Sequence, residues 1–137
     1  MKTWVLAGML LIVGASTGSR SEGQAAKAGR RESRFACNRL ALDTAARARH
    51  FDVLGPALAK ARQSVRELEN GYEFEYPPDR NTVQQLMEWA AGERLCCPFF
   101  DIEVRLEREG GSVWLRLTGR EGTKQFIRSD FARWMHS

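Results

Sequence analysis

Much of what marks a common enzyme or metal module is missing from this chain. Its 137 residues include three cysteines and two histidines, with no C-x-x-C and no H-x-x-x-H pair among them. Zinc-finger spacing is therefore excluded, as is the C-x-x-C of disulfide exchangers. No serine sits in a nucleophile elbow between strand and helix, no carboxylate pair marks a cleft, and no glycine-rich loop suits a phosphate. Hydrolase and nucleotide readings have no support. Neither sign of charge dominates, since 21 Lys and Arg face 17 Asp and Glu for a net +4. The basic residues are spread along the chain, even beside the acidic stretch "ELENGYEFE". A nucleic-acid protein concentrates them on one element, so no nucleic-acid partner is expected. The one long apolar run, Trp4 to Val13, is shorter than the roughly 20 residues of a spanning helix, and no stable membrane insertion is expected.

That run has another use. Lys2 precedes it and Val13-Gly14-Ala15 follows, the layout of a secretory signal over residues 1–15. The expectation is an exported protein, periplasmic or extracellular. Ser16 stands where a lipid-bearing cysteine would be needed. Residues 16–34, opening "STGSRSEGQAAKAGRRES", lack apolar periodicity and read as a flexible tether. One domain over residues 35–137 remains.

Asp43 is placed to cap a helix starting at Thr44. Phe51, Leu54, Leu58, Ala61, Val65 and Leu68 then recur every three or four residues, the stripe of one long helix kinked at Gly55-Pro56 and stopped by Asn70-Gly71. Tyr72, Phe74 and Tyr76 alternate with Glu73 and Glu75 as a strand. Asn81 and Gln84 form a capping box for a second helix, with Val83, Leu86, Met87, Ala90, Ala91 and Leu95 on its buried face. Pro98 ends that helix at Cys96 or just before. Two strands follow, around Ile102, Val104, Leu106 and around Val113, Leu115, Leu117, turned at Gly110-Gly111. A last helix carries Phe126, Ile127, Phe131 and Trp134. The order α-β-α-β-β-α predicts a two-layer α+β fold, a small mixed sheet with helices on one face. Within it the first strand, crossover helix and second strand form a parallel unit.

"GERLCCPFF" sets Cys96 and Cys97 side by side where the second helix ends. Cys37 is the third thiol. Core packing is one reading, since a free cysteine behaves as a small hydrophobe. Neighbouring helical residues diverge by about 100°, so both cannot face the core easily. A disulfide from Cys37 to either member is the second reading, favoured by export but leaving one thiol over. Redox catalysis is the third, opposed by the helix C-terminus, whose dipole disfavours a thiolate. The fourth is a soft metal ion. Cys37, Cys96 and Cys97 would form a trigonal site, with Glu93 on the same helix face as ligand or support. Pro98 would let both neighbouring thiols point into one pocket walled by Phe99 or Phe100. His50, beside Phe51, reads as a partly exposed structural histidine, and His136 lies at a frayed terminus.

"CNRLAL", "RARH", "ENGYEFEYP", "EWAAGERLCCPFFDIEV" and "VWLRLTGREGTKQF" together resemble a family of small uncharacterised bacterial proteins. These carry an E-x-x-C-C-P-F segment ahead of a hairpin and an upstream cysteine. The resemblance covers Phe35 to Phe131, and Glu93, Cys96, Cys97, Pro98 and Phe99 stand where that segment requires. It implies a coherent domain and no mechanism. The favoured reading is a non-enzymatic exported protein that binds Zn(II), Cu(I) or another thiophilic ion. The alternatives are a disulfide-stapled interaction module without metal and a thiol redox protein.

Overall fold

The computed structural model describes residues 31–136. The expected signal over residues 1–15 and the tether as far as residue 30 lie outside them. Asp43 accepts a hydrogen bond from the Ala46 N–H at 2.8 Å and caps α1 (Thr44–Ala48), as its position predicts. The helix continues through a π-helical stretch, Arg49–Leu54, into α2 (Gly55–Ala61). Pro56 has no N–H to offer the Asp52 carbonyl, and its ring crowds that oxygen. Widening the preceding turn relieves both problems. The Gly55 N–H accordingly bonds to the His50 carbonyl, five residues back. The irregularity expected of one helix at Gly55-Pro56 is this π-helical stretch.

The helix does not run on to Leu68. It ends at Ala61, and Ser64–Leu68 is strand β1. Val65 and Leu68 continue the three-four spacing by coincidence, and "ENG" turns a hairpin into β2 (Gly71–Tyr76). Gly71 is needed there, because a Cβ would collide with the Leu117 carbonyl.

Helix α3 spans Arg80–Cys96. Its cap is Asp79, not Asn81: the carboxylate accepts from the Thr82 N–H at 2.9 Å and from the Thr82 hydroxyl at 2.7 Å. Cys97, with φ −121° and ψ 68°, leaves the helix ahead of Pro98 as expected. Strands β3 (Asp101–Leu106) and β4 (Val113–Thr118) form the second hairpin, and α4 (Thr123–Asp130) and α5 (Ala132–Met135) close the chain.

The α+β class holds, but the sheet is antiparallel throughout, in the order β1-β2-β4-β3, rather than mixed. Strands β2 and β3, joined by α3, do run in the same direction. They never pair, because β4 lies between them and is antiparallel to both. Tyr72, Phe74, Tyr76, Val113, Leu115 and Leu117 form the buried face under the helices. On the other face Arg66, Glu73, Arg116 and Glu103 stand in register across all four strands. Alternating charges on paired strands favour this register. Glu73 is enclosed between Arg66 and Arg116.

The rotation of α3 about its own axis decides which of its side chains reach the interior. Its buried residues are Thr82, Leu86, Trp89, Glu93 and Cys96. Met87 and Leu95, expected inside, are 53% and 56% exposed. Trp89 decides this, because its indole buries more area than either residue and packs on Trp134 at 4.9 Å. Glu93 and Cys96 lie four and seven residues beyond Trp89, on the same stripe, and turn inward with it. No helix among the described residues is long and apolar enough to cross a membrane.

Candidate metal centre

His50 reaches Glu93 and Cys96 from the π-helical stretch. Its ring lies flat on Trp89, with centroids 5.6 Å apart and planes 9° apart, and meets the edge of Phe51 at 4.7 Å. Gly92 makes room for it: a Cβ there would stand 2.7 Å from His50 Nδ1. His50 is 3% exposed, a correction to the partly exposed residue expected. A signal for this exists in the sequence. His50, Leu54 and Leu58 are four residues apart, which places His50 on the buried stripe, where Phe51 competes with it.

His50 Nε2 stands 2.8 Å from Glu93 Oε2. With Glu93 ionised, Nε2 carries the hydrogen and donates it, leaving Nδ1 as a bare acceptor. Nδ1 and Glu93 Oε1 are buried without a hydrogen-bond partner among the described residues. The Cys96 Sγ completes a triangle, 3.5 Å from Glu93 Oε2 and 3.8 Å from His50 Nε2. Burial first, and then the Glu93 charge and its hydrogen bond to the thiol, push Cys96 up to about 12. At neutral pH the residue is a thiol and a poor nucleophile, which argues against redox catalysis there.

Cys37 and Cys97 form a disulfide with Cα atoms 4.7 Å apart. The Asn38 N–H donates to the Cys96 carbonyl at 2.7 Å, and Phe35 packs on Phe99 at 5.1 Å. The segment around Cys37 is thus held against the end of α3. Of the three sulfurs expected to converge, two are bonded to each other and Cys96 alone is a free thiol. The turn of about 100° per helical residue sends Cys96 towards His50. Cys97, past the last turn, goes to Cys37.

The pocket walled by Phe99 or Phe100 is also corrected. Those rings pack on each other at 4.8 Å and on Phe126. A cavity of about 690 Å³ lies elsewhere, walled by Phe35, Phe51, Trp89 and Phe131, and Cys37, His50 and Glu93 line it too.

Two donor sets result. His50, Glu93 and Cys96 form one and Cys37, Glu93 and Cys97 the other, each with donor atoms within 4.8 Å of one another. Glu93 belongs to both. No protein-family model, curated protein or solved structure matches the chain.

Proposed function

We propose that this is an exported protein that binds a thiophilic metal ion, Zn(II) or one of similar chemistry, through His50, Glu93 and Cys96. The observation that carries the reading is Glu93. A carboxylate that is 1% exposed, with Oε1 unpartnered, is a costly arrangement for the apoprotein, of the order of several kcal/mol for a buried charge. A cation held between the three donors would offset it.

The dimensions support this. Zinc bonds of about 2.0–2.3 Å at the tetrahedral angle set donors about 3.3–3.6 Å apart. The sulfur already stands 3.5 and 3.8 Å from the other two donors. The His50–Glu93 separation of 2.8 Å is a hydrogen bond, and it opens by about half an ångström when the hydrogen moves to Nδ1 and a metal takes its place at Nε2. One thiolate, one imidazole and one carboxylate is a borderline set that suits Zn(II) better than Cu(I), which favours sulfur. Three protein ligands leave one coordination position, and the cavity beside His50 and Glu93 offers a route to it. The disulfide is at home in an oxidising compartment and supports export.

Native mass spectrometry of the oxidised protein loaded with Zn(II) should find one ion. Calorimetry in buffers of different ionisation heat should find one proton released per ion, because the resting form is the thiol. Cys96→Ala and Glu93→Gln should each abolish retention without loss of circular dichroism. An oxidised protein that retains no ion at micromolar Zn(II) would overturn this site and, for the oxidised form, favour the staple reading, in which the disulfide fixes an interaction module.

A further inference from the structure

We infer a second soft-metal site, made of Cys37, Cys97 and Glu93, closed by the disulfide and opened by its reduction. It deepens the function proposed above, and it shares Glu93 with that first site. Two observations point to it. The sulfurs of Cys37 and Cys97 and a Glu93 carboxylate oxygen already lie within 4.8 Å of one another. Glu93 Oε1 has no hydrogen-bond partner among the described residues while Oε2 serves His50 and Cys96. A carboxylate has two oxygens, and here one is committed to the first donor set and the other to nothing. Bridging two ions is the coordination that uses both.

Reduction has a route. Cys97 is fully buried, but Cys37 is only half-buried and lines the cavity of about 690 Å³. A dithiol entering the cavity attacks Cys37 Sγ as its thiolate, the S–S bond breaks, and Cys97 leaves as thiolate and takes up a proton. The second thiol of the reductant then closes on the mixed disulfide and frees Cys37. The protein gains two electrons and two protons, and the dithiol becomes a cyclic disulfide. A metal ion entering this site displaces the two thiol protons. Two thiolates make it the softer site of the pair, the better match for Cu(I) or another sulfur-seeking ion.

The segment carrying Cys37 has holds besides the disulfide: the Asn38 N–H donates to the Cys96 carbonyl, and Phe35 packs on Phe99 and Phe126. These contacts should keep both sulfurs near Glu93 on reduction.

The test counts ions. The full chain, oxidised or reduced anaerobically with dithiothreitol and freed of excess reductant, is loaded with Zn(II) and weighed by native mass spectrometry. Circular dichroism is recorded on each sample. The oxidised protein should hold one ion and the reduced protein two, a twofold rise. Cys96→Ala should hold none when oxidised and one when reduced. Should reduced Cys96→Ala be partly unfolded, Zn(II) ought to restore its circular dichroism, since an ion bound only by the folded form stabilises it. One ion in both redox states of the wild type would overturn the second site and leave the first standing. No ion when oxidised, with one on reduction that survives Cys96→Ala, would overturn the first and support the second. A reduced variant that neither holds an ion nor refolds with Zn(II) would end the proposal.

Discussion

At Gly92, helix propensity and packing act with opposite signs. In a helix interior, glycine to alanine gains up to about 1 kcal/mol in propensity. Here the new Cβ would stand 2.7 Å from His50 Nδ1 and 3.2 Å from Cε1. The imidazole cannot retreat, since Trp89, Phe51 and Glu93 hold it on three sides. Overpacking of this kind costs about 1–3 kcal/mol. Gly92→Ala should therefore lower the urea midpoint and weaken ion retention. A higher midpoint would mean that His50 moves freely and that the site is less rigid than its contacts require.

Among the elements, α3 carries the most consequence, and its start is acid-sensitive. Hydrogen bonds from the Thr82 hydroxyl and N–H hold the Asp79 carboxyl below its ordinary value. A hydrogen bond from Arg49, together with that residue's charge, does the same for Glu88 on the helix surface. On the sheet, Ser112 and Ser64 lower Glu75. A folded-state value below the unfolded one makes stability present above the unfolded pKa, near 4, and lost as pH falls through the folded value. Thermal unfolding from pH 7 to 2 should give a plateau down to about pH 5 and a fall below it. Asp79→Ala should lower Tm on the plateau, and its difference from wild type should shrink in acid, where protonation weakens the same cap.

At the scale of the whole molecule, the disulfide spans 60 residues of sequence. Closing a loop of that size restricts the unfolded chain by about 4 kcal/mol in the chain-entropy model. A domain of this size has a total stability of about 5–15 kcal/mol. Reduction without metal should lower Tm by roughly 15–30 °C while the sheet and helices persist at room temperature. Differential scanning calorimetry with and without dithiothreitol checks it, and Cys37→Ala should reproduce the reduced value. A shift of only a few degrees would mean that the packing of Phe35 already confines the N-terminal segment.

Periodicity and chain-breaking residues were enough to expose the α+β class, the strand around Tyr72 to Tyr76, the hairpin at Gly110-Gly111 and the end of α3 at Cys96. These are local matters, set by side-chain alternation and by the missing N–H and fixed φ of proline. Glu93 and Cys96 could be nominated because they share a helix face. What lay beyond the sequence depended on competition between distant groups. The insertion of β4 between β2 and β3 is a choice of pairing partner that no spacing encodes. Trp89, by taking the core-facing position, exposed Met87 and Leu95 and drew Glu93 and Cys96 inside, where His50 could meet them. The same rotation parted two neighbouring cysteines, one towards a histidine and the other into a disulfide, because adjacent residues at a helix end point in different directions.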